Sequence, residues 1–240
     1  MTKKNYSILS TRPMGDVILA KAGAQGVEVD IVSFIETIPN ITTSINKEID
    51  TVSSQKIVAI FTSMNAVEAV ANCLSGRVPN WDIFCMGNTT RLLVQQHFGQ
   101  KIIAGNAANA IEMANSIIEY DRERKIQKAV FFCGNLRREE LPKMLLENNI
   151  PCQEMVVYNT LAMPHKIEKN YDGILFFSPS AVHSFFSSNK VAGQTVLFAI
   201  GHTTAAAIQA CSNNEIVVGF NPSKTALLEM ALQTFNKGEV

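Results

Sequence analysis

Phe84-Cys85-Met86-Gly87-Asn88-Thr89-Thr90 returns as Phe198-Ala199-Ile200-Gly201-His202-Thr203-Thr204, 114 positions further along. Each copy reads as an apolar strand that reaches a glycine and opens a helix. Working outward, Phe61-Thr62-Ser63-Met64-Asn65-Ala66-Val67 returns as Phe176-Phe177-Ser178-Pro179-Ser180-Ala181-Val182 at a spacing of 115. Glu112-Met113-Ala114 returns as Glu229-Met230-Ala231 at a spacing of 117. Three echoes in one order, at nearly one spacing, imply a duplicated unit of half the chain. The period is far too long for a solenoid. The expectation is two similar domains with a cleft between them.

Around the echoes, short runs rich in Ile, Val and Phe alternate with helical patterns. Strands are expected over 6–10, 27–33, 57–61, 83–86, 101–103, 129–132, 152–157, 173–177, 196–200 and 216–218. Helices are expected over 14–24, 43–52, 65–74, 89–97, 107–120, 137–148, 179–187, 203–210 and 223–235. Runs that are apolar on both sides suit parallel strands covered by helices on both faces. Their alternation with helices is an α/β signature.

A weaker echo links 6–39 to 129–163, while 57–120 is echoed in 173–235. The order is therefore A-B-A′-B′. Either the halves fold in sequence, or A folds with B′ and B with A′, which nests one domain in the other. Two long, β-prone tails, 31–39 and 154–164, each end at a proline. They exceed the two to six residues usual for connections in such folds. Nesting gives both a purpose, as interdomain crossings paired in a two-stranded antiparallel ribbon. The expected architecture is α/β: a discontinuous domain of 1–37 plus 160–240, and an inserted domain of 40–156.

Composition narrows the function classes. Lys plus Arg equals Asp plus Glu at 21 each, so there is no general basic field for nucleic acid or acidic lipid. Met1-Thr2-Lys3-Lys4-Asn5 runs directly into the strand-like Tyr6-Ser7-Ile8-Leu9, unlike an export signal. No apolar run approaches the roughly 18 residues of a membrane span. Cys73, Cys85, Cys133, Cys152 and Cys211 are odd in number and show no C-x-x-C spacing, which suits a reduced, cytoplasmic chain. The four histidines are scattered, with no metal-ligand spacing. There is no G-x-G-x-x-G after a strand, no G-x-x-x-x-G-K-[ST] and no G-x-S-x-G.

What remains is a set of strand ends that open helices: Thr62-Ser63, Gly87-Asn88, Gly134-Asn135, Ser178-Pro179 and Gly201-His202. Ser178 with Pro179 is a strong pair for a helix cap and first position. Any one of these is explained by helix capping alone. As a set they gather on the carboxyl edge of a parallel sheet, where ligands bind. Helix starts offer free N–H groups and partial positive charge, which suit an anion. Arg137 and Arg138 are expected to open a helix despite the unfavourable dipole, which points to holding a carboxylate as much as to a plain surface. Tyr158, in the second crossing, is either interdomain packing or a proton donor.

The stretches Cys133-Gly134-Asn135-Leu136-Arg137-Arg138-Glu139-Glu140-Leu141-Pro142, Val157-Tyr158-Asn159-Thr160, Phe177-Ser178-Pro179-Ser180-Ala181-Val182 and Ala199-Ile200-Gly201-His202-Thr203-Thr204 resemble uroporphyrinogen-III synthases. Thr11-Arg12-Pro13 and Phe61-Thr62-Ser63 with Asn65-Ala66-Val67 fit the same family. The resemblance spans about 9–228. It implies two nested α/β domains and dehydration of hydroxymethylbilane, a linear tetrapyrrole carrying acetates and propionates. The terminal hydroxyl leaves as water, the last ring inverts through a spiro intermediate, and the macrocycle closes without cofactor or metal. By resemblance Tyr158 assists departure of the hydroxyl. Arg12, Ser63, Asn88, Thr90, Gly134, Asn135, Arg138, Ser178, Ser180, His202, Thr203 and Thr204 are the expected substrate contacts. His202 departs from the family pattern, where a small residue or proline is common. The expected protein is a cytoplasmic monomer that binds neither nucleic acid nor membrane. The competing reading is a cytoplasmic two-lobed binding protein for a small polyanion.

Overall fold

A computed structural model describes residues 5–220 and 223–236. Met1–Lys4, part of the segment read as unlike an export signal, lie outside the described residues. Three elements open the chain: β1 (Tyr6–Ser10), α1 (Asp16–Ala24) and β2 (Val27–Ile31). Then follow β3 (Ile35–Pro39), α2 (Thr43–Ser53), β4 (Ile57–Phe61), α3 (Met64–Leu74), β5 (Trp81–Met86), α4 (Asn88–Phe98), β6 (Ile103–Ala107), α5 (Ala110–Arg124), β7 (Ala129–Gly134), α6 (Glu140–Glu147) and β8 (Cys152–Ala162). The last are β9 (Gly173–Phe176), α7 (Pro179–Phe186), β10 (Val196–Ala199), α8 (His202–Gln209), β11 (Ile216–Val218) and α9 (Lys224–Asn236).

The chain divides into two compact units. One holds the described residues up to Glu36 with those from Leu161 onward; the other is Thr37–Thr160. The first is built on a sheet of order β11-β10-β9-β1-β2, the second on one of order β3-β8-β7-β4-β5-β6. β1, β2, β9, β10 and β11 pair in parallel, as do β4 to β8. This is the parallel α/β fold that the apolar runs imply. β4 and β7 are buried along their whole length. Each sheet carries a packed apolar layer on both faces. In the second unit one layer centres on Phe61, Trp81 and Phe132, and the Trp81 Nε1–H donates to Val52 O at 2.8 Å. Full burial of each such side chain contributes about 1.5–3 kcal/mol.

The two sheets have one topology reached by different routes. β6-β5-β4-β7-β8 and β11-β10-β9-β1-β2 superimpose as strand orders. β5 with α4 therefore holds the place of β10 with α8. That is the physical content of the repeated Phe84–Thr90 and Phe198–Thr204.

Two local expectations are corrected. The strand expected at 101–103 is a 3-10 turn, Gln100–Ile102, and β6 begins at Ile103. Gly99, at φ 89°, ends α4 and forces the tight turn. The helix expected from 137 begins at Glu140. Pro142 explains the delay: from Glu140 it sits in the first turn, where its missing N–H is harmless, whereas from Arg137 it would break an internal hydrogen bond. Arg137 and Arg138 thus precede the helix and do not lie in its first turn.

Candidate functional site

In each sheet the strand order reverses at one place, where successive loops diverge and leave a crevice outside the carboxyl ends. In the second unit the reversal lies between β4 and β7. A pocket of about 360 Å³ opens there, with Thr62, Ser63, Met86, Gly134, Arg138 and Tyr158 among its walls. Ser63 Oγ accepts the Asn65 N–H at 3.2 Å and caps α3. α4 next door starts from Gly87 with no side chain capping it, which leaves first-turn N–H groups open to solvent or a ligand. Asn88 is exposed, whereas Thr90 is buried to 4% exposure and turns into the core.

Tyr158 reaches the pocket by a slip in register. Cys133 of β7 faces Val156 of β8, but the next residue, Gly134, faces Tyr158. The ring lies directly over Gly134: a Cβ there would fall 2.5 Å from Cε2 and Cζ and 2.8 Å from the hydroxyl. Glycine is required here by close approach, not by its dihedral angles. Tyr158 packs against the layer of Phe61 and Phe132 while its hydroxyl has no hydrogen-bond partner among the described residues. Asn135 is engaged along the main chain of β8. Its N–H donates to Tyr158 O at 3.2 Å, its Oδ1 accepts the Thr160 N–H at 2.8 Å, and its Nδ2 donates to Thr160 O at 3.3 Å.

Charge enters from the 136–138 loop. Arg137 forms an ion pair with Glu154 of β8, which raises the pKa of its guanidinium. Cys133 near this edge, Cys152 at the opposite end of β8, and Cys85 on β5 have thiols pushed up to about 12 by burial. They are neutral thiols of the core, not nucleophiles. Among the described residues, no group of three His, Cys, Asp or Glu is placed to hold a metal ion.

The first unit repeats the arrangement between β1 and β9. Thr11 Oγ1 donates to Leu175 O at 2.8 Å and Ser10 Oγ to Arg12 O at 2.6 Å, which shapes the loop that presents the exposed Arg12. Ser178 Oγ accepts the Ala181 N–H at 3.2 Å, with Pro179 in the first turn and Ser180 Oγ 3.0 Å away. Gly201 precedes α8, where His202 and Thr203 are exposed and Thr204 is buried. The expected contacts therefore fall on two equivalent edges. Ser63, Asn88, Gly134 and Arg138, with Tyr158, lie on one; Arg12, Ser178, Ser180, His202 and Thr203 lie on the other. Thr90 and Thr204 face inward, and the Asn135 side chain is committed to β8. The sequence reading missed Leu136, an exposed apolar wall of the pocket, whose one signal is an apolar residue in a polar turn.

Two matching α/β units, each with a helix-start site at its strand reversal, define the class of protein. The chain belongs to the uroporphyrinogen-III synthase family: the family described as HEM4, Uroporphyrinogen-III synthase HemD, matches residues 16–229. The motif resemblance is borne out. Among solved structures, uroporphyrinogen-III synthetase from Helicobacter pylori 26695 is 18% identical, covers 95% of this chain and 99% of its own, and has a TM-score of 0.65. A mutant uroporphyrinogen III synthase from the extremely thermophilic bacterium Thermus thermophilus is 11% identical, covers 98% and 100%, and also has a TM-score of 0.65. At these identities the structures speak for the shared fold. Among the described residues, no helix is long and apolar enough to cross a membrane.

Proposed function

We propose that the protein closes hydroxymethylbilane to uroporphyrinogen III, with loss of one water and inversion of the last pyrrole ring, in heme biosynthesis. The observation that carries the chemistry is the Tyr158 hydroxyl, without a protein partner among the described residues, in the pocket between β4 and β7. A phenolic O–H donates a hydrogen bond. It gives its proton to the departing hydroxyl, so that water leaves and positive charge spreads over the terminal pyrrole. The inverting attack joins the activated methylene to the α-carbon of the last ring that already carries its bridge, giving the spiro intermediate. The older bond from that carbon to the bridge then breaks, and the bridge closes on the ring's free α-carbon. The proton lost from that carbon restores the phenol. No cofactor enters this balance.

The carboxylates of the substrate suit the helix starts at Ser63, Asn88, Ser178 and His202, where backbone N–H groups favour anions. Arg12 and Arg138 add guanidinium forks for acetate or propionate. Gly134, Ser180 and Thr203 complete the contacts, while Thr90 and Thr204 support the turns from behind. Binding of this kind bends the chain toward inverting closure, and positioning can supply about 7–11 kcal/mol of a barrier. The family favours this reading over a two-lobed binding protein, which would leave hydroxymethylbilane to close on its own to isomer I. We place the reaction in the cytoplasm and carry it on a monomer.

Incubation with freshly made hydroxymethylbilane, oxidation, and separation of porphyrin isomers tests the activity. Isomer III is expected to dominate; isomer I alone would overturn the reading. Tyr158→Phe keeps the ring and removes the donor, so kcat/KM should fall about 10²-fold or more. Ser63→Ala should cost less, because the helix-start N–H groups remain. Full isomer-III activity in Tyr158→Phe would remove the phenol from the mechanism.

A further inference from the structure

We infer that Gly134 and Asn135 form a positioning clamp that holds Tyr158 in its reactive place; the inference rests on Tyr158 as proton donor. Side chains alternate across a strand, and a one-residue slip moves each to the opposite face. On β8, Met155 and Val157 pack into the layer of Phe61 and Phe132, and Val156 packs into the other layer. Unbroken alternation would send Tyr158 after Val156. It packs with Val157 instead, because the pairing with β7 slips between Cys133 and Gly134. A bulge of this kind re-aims a side chain and must be held by its surroundings.

Two neighbours hold it. Gly134 provides the space: any side chain there would occupy the volume of the Tyr158 ring and hydroxyl. Asn135 provides the grip. Its main-chain N–H takes Tyr158 O, and its amide takes both the N–H and the carbonyl of Thr160. The side chain thus acts as one more rung of the ladder where β7 has ended, and ties down the chain from the Tyr158 carbonyl to Thr160. With its oxygen and nitrogen both used, the amide works on the tyrosine and not on the substrate. Asn135 is a positioning residue, and Gly134 is the floor under the ring.

The test is a double-mutant cycle on the intact protein with hydroxymethylbilane as substrate. Asn135→Ala is expected to lower kcat about tenfold with KM little changed, and to cost little more in the Tyr158→Phe background, since neighbours that act as one unit do not add. Gly134→Ala should lower kcat as far as Tyr158→Phe and also add little to it. Urea unfolding followed by Trp81 fluorescence shows whether each variant is folded. If Asn135→Ala does not fold, Asn135→Asp keeps the Thr160 acceptor, loses the Nδ2 donor, and must show the same coupling. Equal losses with and without the Tyr158 hydroxyl, or a raised KM at unchanged kcat, would make Asn135 an independent contact and overturn the clamp. A fully active Tyr158→Phe overturns the donor and the clamp together. A wild-type protein that yields isomer I alone overturns the activity itself, a result distinct from both.

Discussion

Gly87 and Gly201 stand at the same point of the repeated strand–turn–helix, but the backbone asks different things of them. Gly87 has φ 76° and ψ 160°, a region essentially closed to residues with a Cβ. Gly201 has φ −176°, which any residue adopts, and a Cβ there would meet nothing within 4 Å. Gly87→Ala is therefore expected to cost about 1–3 kcal/mol of stability. Gly201→Ala should stay near the roughly 0.5 kcal/mol of an ordinary surface change. Urea midpoints of the two variants check this, and equal losses would mean that the repeat imposes one turn geometry after all. The repeat is legible as sequence; the dihedral angle that separates its two copies is not.

At the scale of elements, the central strands carry a pH dependence. Cys85 on β5, Cys133 on β7 and Cys152 on β8 have pKa values pushed by burial from 9.0 to about 12. Tyr120 and Tyr171 are also pushed up to about 12, first by burial and then by their hydrogen bonds to Asp82 and Asp30. In the unfolded chain these groups release protons at lower pH than in the folded one. Their contribution is intact below about pH 9 and is lost as pH rises toward about 12. Calorimetry should show a Tm that falls steadily over that window; a flat Tm to about pH 11 would contradict it. β4 and β7 were the legible strands, because they are buried along their whole length, whereas β5 was legible only from Ile83 because Asp82 interrupts its apolar run. β3 (Ile35-Glu36-Thr37-Ile38-Pro39) reads only as an extended tail, since its exposed positions break the apolar run. β6 (Ile103-Ala104-Gly105-Asn106-Ala107) lacks a strand pattern because Gly105 lies under the Phe84 ring. Two register slips in this sheet fall where an aromatic ring covers a glycine, at Phe84 over Gly105 and Tyr158 over Gly134. Such a slip depends on the partner strand, so Tyr158 could be singled out from sequence while its route into the pocket could not.

At the scale of the whole molecule, the nested order is a proposal about folding as well as about contacts. Within the second unit the Asn40 N–H donates to Val157 O at 2.9 Å, so the two ends of that unit are neighbours. Within the first, the Met163 N–H donates to Phe34 O at 2.9 Å, so the ends flanking the insertion are neighbours too. Each unit keeps a parallel sheet with an apolar layer on both faces, the makings of a domain that folds alone. An excised Thr37–Thr160 fragment is expected to unfold cooperatively in urea, with an m value of about 1–3 kcal/mol/M. Trp81, the one tryptophan of the chain, lies in the core of that unit and reports on it directly. A fragment of residues 1–120 makes the opposite case. It keeps β4 but loses β7, which covers one edge of β4, and it holds β1 and β2 without β9. It should aggregate or unfold without cooperativity, for it contains neither sheet in full. A well-folded 1–120 beside a disordered Thr37–Thr160 would show that the units fold in chain order and would end the nested account.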